Sequence, residues 1–149
     1  SAIGSALGTG VAAMAGIGAW KKCYAQNKAA PFMIVAFIGA PLSQTIYGMI
    51  VMRWIATAAE GIKAAAEGTA AAAELTYTVP PAQPWSLIAA GLLGGLAIGL
   101  SAFMQGKACA SASDALGETG QGFGNSLMAV GIIETVALFA LVFISRVIG

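Results

Sequence analysis

Glu134 is the residue of this sequence best placed to do chemistry, because it is an acid inside an otherwise uncharged segment. The segment from Thr119 to Ser145 contains no other charge, and Glu134 lies near its middle. A carboxylate in the middle of a membrane span costs on the order of 2.5 kcal/mol or more to insert uncompensated. It must therefore pair, bind a cation or take up a proton. We expect a functional role for it, the alternative being a protonated acid that only joins helices.

A second segment carries uncharged oxygen donors that suit a cation. These donors are three or four residues apart, which places them along one face of a helix. They are Ala40, Ser43, Gln44 and Tyr47. Pro41 cannot donate a backbone hydrogen bond, so the helix should kink there and free a nearby carbonyl, such as that of Ala40.

A third segment contributes Gln105 at the corresponding depth, and the Tyr47 hydroxyl can hold the carboxylate in place. With Glu134, the donors offer about five oxygens, the hard-ligand environment that a dehydrated alkali cation requires. A proton needs only the carboxyl group and one acceptor, which leaves two buried glutamines and a serine without a purpose. The set favours sodium over a proton, with hydrogen bonding between helices as the alternative role for the polar residues.

No lysine or arginine lies at the depth of Glu134 in the other predicted helices. Arg53 is the nearest candidate, nine residues beyond Gln44, or about 13 Å along a helix. That separation suits an arginine that extends to the membrane interface better than an ion pair. A carboxylate without a fixed cation is suited to a mobile one.

The elements that position these residues are predicted to be four transmembrane helices. The chain is 58% hydrophobic and only 9% charged, too few charges for the surface of a soluble domain. Uncharged stretches long enough to span a bilayer cover residues 1–20, 29–52, 75–106 and, apart from Glu134, 119–145. The predicted fold is an all-α membrane protein.

These helices are predicted to form two tandem hairpins. The first occupies residues 1–55 and turns through Trp20–Lys28, and the second occupies 85–149 and turns through Lys107–Ser126. Between them, residues 56–84 form an Ala-rich extramembrane connection that ends in prolines. Its glutamates recur every seven residues and favour a continuation of the second helix, the alternative being a flexible linker. The residues concerned are Glu60, Glu67, Glu74, Pro80, Pro81 and Pro84.

The two hairpins align with each other as a duplication. Gln44-Thr45 matches Glu134-Thr135, and an offset of 100 places Ser5 opposite Gln105. Because the third helix has a long apolar run before this point and nothing precedes residue 1, we expect the outer half of the first helix to be missing. Small residues recur every fourth position in both halves, a spacing that suits a tightly packed inner layer of repeated hairpins. They are Gly4, Gly8, Ala12 and Gly16, and Gly91, Gly95 and Gly99.

Several other functions are excluded. A net charge of +1 with scattered basic residues gives no concentrated face for nucleic acid. The sequence has no histidine and only Cys23 and Cys109, too few ligands for a zinc site; both cysteines are expected in cytoplasmic turns, as inert small residues. No GxxxxGK[ST] loop is present, so we expect no nucleotide binding.

Basic residues at the helix ends indicate the orientation. Four lie at the hairpin turns: Lys21, Lys22, Lys28 and Lys107. Three lie on the other side: Arg53, Lys63 and Arg146. We therefore expect the turns in the cytoplasm and the C-terminus outside.

Three segments together resemble the double-hairpin proteolipid subunit that builds the rotor ring of rotary V/A-type ATPases, especially its sodium-translocating members. They are residues 40–48 (APLSQTIYG), 101–107 (SAFMQGK) and 133–135 (IET). The resemblance implies sodium ligands at Ala40 (backbone oxygen), Ser43, Gln44, Gln105 and Glu134, with Tyr47 steadying the glutamate. Ser43 and Ala40 stand where better-known members have threonine and leucine, and neither difference removes a ligand.

The resemblance also implies a mechanism and partners. Identical subunits would form a ring that carries one ion per subunit past a stator subunit with an arginine, and a central-stalk subunit would connect the ring to the subunits that hydrolyse ATP. The chain itself would not be an enzyme. An occupied site is neutral and can face lipid, whereas an empty carboxylate needs the stator cation or an aqueous half-channel. The alternatives are a proton-carrying ring, a small ion channel or secondary transporter, and a purely structural membrane scaffold.

Overall fold

A computed structural model describes residues 1–66 and 84–148 of the chain, and these residues form helices joined by short turns, without a strand among them. The helices are α1 (Ala2–Ala25), α2 (Ile34–Gly39), α3 (Ser43–Ala66), α4 (Pro84–Thr119) and α5 (Phe123–Ile148), with a 3₁₀ turn at Ala40–Leu42 between α2 and α3. Four helical spans are long and apolar enough to cross a membrane, since α2, the 3₁₀ turn and α3 count as one. The predicted all-α class with four such helices is confirmed.

Helices α1 and α4 pack closely side by side through glycines. A methyl group added at Gly4 would overlap the backbone of Gly99, and one added at Gly106 would overlap the backbone of Gly8. Only residues without a side chain allow two helix backbones to approach so closely. The small-residue faces predicted on the first and third helices therefore meet each other, and α3 and α5 pack on α4 beside them.

The first turn is shorter than the sequence prediction. Residues 20–25, predicted to be part of the turn, belong to α1, and the chain reverses after Ala25. Asn27 adopts a positive φ of 53°, a conformation that asparagine tolerates better than most residues. The Trp20 Nε1 donates a 2.9 Å hydrogen bond to the Pro31 carbonyl, which fixes the returning chain against α1.

The second turn was also predicted wrongly. Helix α4 continues through Lys107 to Thr119, and only residues 120–122 separate it from α5. Gly120 and Gly122 have positive φ values of 67° and 84°, which make this tight reversal possible. The charges that suggested a loop lie on the exposed face of α4, where Asp114 and Glu118 pair with Lys22 of α1 at 2.7 and 3.2 Å.

Both cysteines lie in helices rather than in turns, which corrects the sequence prediction. Cys23 and Cys109 are buried in α1 and α4 as free thiols. The Cys23 Sγ lies 3.3 Å from the Gly117 carbonyl, to which it donates. Because α1 and α4 are both longer than expected at this end, the segments that carry the cysteines are part of their packed interface.

The Ala-rich connection is described only in part. Helix α3 continues past Ile55 as far as Ala66, and α4 begins at Pro84, whose missing amide hydrogen costs nothing at a helix start. Glu60 is exposed on α3. The remaining glutamates and prolines of the predicted connection lie outside the described residues. They are Glu67, Glu74, Pro80 and Pro81.

The apolar core is divided into two clusters along the helix axes. One lies near the turns and includes Phe37 and Val130. The other lies toward the opposite ends of the helices and includes Val51 and Ala137. In both α3 and α5 the polar residues of interest fall between these clusters in sequence. The core therefore leaves a polar layer at mid-helix with apolar packing above and below it.

Candidate ion-binding site

The carboxylate of Glu134 accepts hydrogen bonds on both of its oxygens. The Tyr47 hydroxyl donates to Oε1 at 2.7 Å, and the Gln105 Nε2 donates to Oε2 at 3.4 Å. Tyr47 belongs to α3, Gln105 to α4 and Glu134 to α5, so three helices meet at one side chain. Two donors on opposite oxygens fix the carboxylate and stabilise its ionised form.

The two glutamines connect this carboxylate to the second span. The Gln44 Nε2 donates to the Gln105 Oε1 at 2.7 Å, and both side chains are fully buried. The Ser43 hydroxyl lies 3.1 Å from the Ala40 carbonyl oxygen and 3.2 Å from the Gln44 Oε1, both of which are acceptors. The structure thus brings all six predicted site residues into one hydrogen-bonded network.

The break at Pro41 places the first part of this network. The α-helix gives way to a 3₁₀ turn at Ala40–Leu42, and the α-helical pattern resumes at Ser43. Because Pro41 has no amide hydrogen, one backbone carbonyl of the preceding turn is released from helical bonding. The Ala40 carbonyl and the Ser43 hydroxyl lie together at this break, as the proline had indicated.

Two neighbouring groups on α5 were not predicted. The Gln105 Nε2 also donates to the Val130 carbonyl at 3.2 Å, and the Ser101 hydroxyl donates to the Ile133 carbonyl at 3.1 Å. These bonds join α4 to α5 on either side of the carboxylate. Ser101 lies one helical turn before Gln105 and shares its face, and that spacing was the available signal.

The described residues place no fixed positive charge at the carboxylate. Glu134 is half-buried and makes no ion pair among them. Arg53 is exposed on α3, more than two helical turns beyond Gln44. A half-buried carboxylate in this position leaves one side of the site open toward whatever surrounds the helices.

The atoms that surround Glu134 are mainly neutral oxygens. The Ala40 carbonyl, the Ser43 hydroxyl and the two glutamine amide oxygens lie in the same network as the carboxylate. Oxygen donors of this kind suit a hard cation, and a single carboxylate balances a single positive charge. The donor set therefore fits a small monovalent cation and equally accommodates a proton on the carboxylate.

Comparison with known proteins gives two similarities. Residues 88–144, which contain α5 up to Ile144 and most of α4, match the family of the ATP synthase C subunit. The chain is also 27% identical over 139 residues to the A-type ATP synthase subunit K of Methanocaldococcus jannaschii. This alignment covers 93% of the chain and 52% of that protein, so the chain spans about half the length of this curated relative. No solved structure matches the chain.

These similarities and the four helices define the class of protein. The helices are long and apolar enough to span a membrane, and the matched family is one of membrane-embedded proteolipids. The chain is an integral, multi-pass membrane protein. Both similarities support a rotary ATPase proteolipid.

Proposed function

We propose that this chain is a rotor-ring proteolipid of a V/A-type ATPase and carries one cation per subunit at Glu134. The observation that carries the proposal is the position of this acid. It lies between two apolar clusters, without a fixed countercharge among the described residues and within a network of neutral oxygens. An acid in such surroundings requires a mobile positive charge. The match of residues 88–144 to the ATP synthase C subunit supports the same role.

Sodium is the proposed cation. Its ligands are the Ala40 carbonyl, the Ser43 hydroxyl, the Gln44 and Gln105 amide oxygens and the Glu134 carboxylate. The two donors on the carboxylate, the Tyr47 hydroxyl and the Gln105 amide, favour its ionised form. An ionised carboxylate needs a bound cation for neutrality, and the nearby oxygens can replace the water that the cation loses.

Neutralisation links occupancy to movement. With sodium bound, the site has no net charge and can face lipid. Without sodium, the carboxylate is stable only next to a stator arginine or in an aqueous half-channel. Rotation is therefore permitted only for loaded subunits. The half-buried position of Glu134 supports this exchange, because the carboxylate is accessible from one side of the helices.

The proposed assembly is a ring of identical subunits that contacts a stator membrane subunit and a central-stalk subunit. ATP hydrolysis or synthesis belongs to other subunits, so the chain is a non-catalytic part of the machine. The hairpin turns face the cytoplasm and the C-terminus lies outside. Large apolar side chains are exposed along all four spans, such as Leu96, Ile132 and Phe143, which supports contact with lipid and with neighbouring subunits.

A proton is the second candidate for the carried ion. It is favoured by one observation, namely that the two glutamine side chains bond to each other and to their neighbours as a closed set. A protonated Glu134 would also be neutral, with the Tyr47 hydroxyl as the acceptor for its hydrogen. In this case the glutamines would only position the acid.

Carbodiimide labelling of Glu134 in membranes that contain the assembled complex distinguishes the two ions. Carbodiimides react with the protonated acid, so bound sodium should slow the reaction at fixed pH. We expect protection to increase with sodium concentration and potassium at equal ionic strength to protect much less. Labelling that ignores sodium but falls at alkaline pH would establish the proton-carrying ring.

A further inference from the structure

Two hydroxyl groups on α1 are buried without a hydrogen-bond partner among the described residues. They are the Ser5 Oγ and the Thr9 Oγ1, and Ser5 is only 1% exposed. A buried serine hydroxyl usually bonds to the carbonyl four residues earlier in its own helix, as Ser113 does with Cys109 at 2.8 Å. An unpaired hydroxyl in an apolar interior is unfavourable, which suggests that a partner is available to Ser5 at some stage of the cycle.

The packing of α1 against the second span shows which residues lie level with these hydroxyls. A methyl group at Gly48 would overlap the Ser1 hydroxyl, and one at Gly8 would lie 3.1 Å from the Pro41 Cβ. From the first pair to the second, each chain advances by seven residues in opposite directions. In this antiparallel register Ser5 is level with Gln44.

Thr9 lies one turn further along α1 and, by the same register, level with Ala40. The two unpaired hydroxyls therefore lie on the side of the second span that faces α1. The proposed ligand atoms of that span bond toward α4 and α5 instead. A polar layer thus extends behind the cation site.

The amide nitrogen of Gln44 is the group that would need a new acceptor when a cation binds. In the structure it donates to the Gln105 Oε1 at 2.7 Å. A cation held by both amide oxygens repels an N–H hydrogen that points at one of them, so this bond is weakened once the site is occupied. The Gln44 Nε2 is fully buried and cannot turn to bulk water. An acceptor on the protein is then required.

We propose that Ser5 is a positioning residue for the cation site, whose hydroxyl accepts a hydrogen bond from the Gln44 side-chain amide in the loaded state. This bond holds the Gln44 oxygen toward the cation. The role rests on the proposed function, because it requires a cation among the amide oxygens. In the proton-loaded site the Gln44 amide keeps its bond to Gln105, and Ser5 has no effect.

The competing explanation is that Ser5 is simply a small residue in a tightly packed interface. Its neighbours along the chain, Gly4 and Gly8, both lie against the backbone of α4. Ser5→Ala retains the small size and removes only the hydroxyl, so packing is preserved. Ser113→Ala is the matched control, because it also removes a fully buried serine hydroxyl, from a helix that packs on α1, two turns away from Gln105.

The test is carbodiimide labelling of Glu134 in the assembled complex, measured for wild type, Ser5→Ala, Ser5→Cys and Ser113→Ala. One series varies sodium at fixed pH, and a second varies pH without sodium. For Ser5→Ala we expect the sodium concentration that gives half-protection to rise about three- to tenfold, the effect of one lost hydrogen bond. Ser5→Cys, whose sulfur is a weak acceptor, should fall in between, and Ser113→Ala should match wild type.

The sodium-free pH profile separates positioning from packing, because only packing damage would move it. An unchanged profile for Ser5→Ala with a raised sodium requirement supports the proposal. Ser5→Ala with wild-type protection, or with both series shifted, or with a shift shared by Ser113→Ala, overturns it. If wild type itself is not protected by sodium, the proposed function fails, and the role of Ser5 fails with it.

Discussion

The two halves of the chain use matching positions for different purposes. Their alignment places Gln44 opposite Glu134 and Ser5 opposite Gln105. Gln44 is fully buried and neutral, whereas Glu134 is half-buried and acidic. Gln105 takes part in three hydrogen bonds, with Gln44, Val130 and Glu134, whereas the Ser5 hydroxyl has none within the described part of the chain. The second half thus holds the charge and the first half supplies neutral oxygens around it.

This difference explains why the chain has one site rather than two. A carboxylate at the position of Gln44 would be enclosed on all sides by α1, α4 and the rest of its own hairpin. It could not exchange an ion with a stator or a half-channel, and burial of a charge without exchange is unfavourable. Access, as well as charge, therefore distinguishes the two positions.

Moving the carboxylate between the halves should have the largest effect. The double variant Gln44→Glu/Glu134→Gln keeps one acid and one amide at the same depth. We expect ion transport at background level, as in Glu134→Gln alone, because the relocated acid is inaccessible. ATP-driven sodium uptake into vesicles measures this, with ring recovery after detergent extraction as the control for assembly. Transport by the double variant above the level of the single variant would show that access does not separate the halves.

The site was predictable from the sequence because polar residues are rare in these spans. Glu134, Gln44 and Gln105 each interrupt an apolar run, and helical spacing placed their neighbours on the same face. The structure brings all of them together, and the break at Pro41 occurs where the proline indicated.

The turns and the hydroxyl contacts were not predictable in the same way. Lys107, Asp114 and Glu118 suggested that the chain had left the membrane, but charge alone does not end a helix. There the buried face of α4 continues to Gly117, packed against α1. The contacts of Ser101 and the isolation of Ser5 depend on how the helices are rotated against each other, which a single sequence does not specify.

Removing a proposed ligand should have a smaller effect than moving the charge. Gln105→Ala eliminates an amide oxygen and a hydrogen bond to the carboxylate, so we expect the sodium requirement for protection from carbodiimide to rise roughly 10- to 100-fold. Ser101→Ala is the matched control, because it removes a hydroxyl that joins the same two helices without being a ligand. Its requirement should change by less than about threefold. Equal shifts in both variants would mean that helix packing, rather than ligation, controls binding.

A density map of the assembled ring prepared in sodium tests the central claim most directly. The account predicts a non-protein peak at each Glu134, about 2.3 to 2.5 Å from the surrounding oxygens, as expected for a hard cation, and the loss of that peak in rings prepared without sodium at low pH. A ring in sodium with no peak and with the Gln44–Gln105 hydrogen bond unchanged would contradict sodium binding. A permanent positive group in contact with every Glu134 would contradict the mobile countercharge itself.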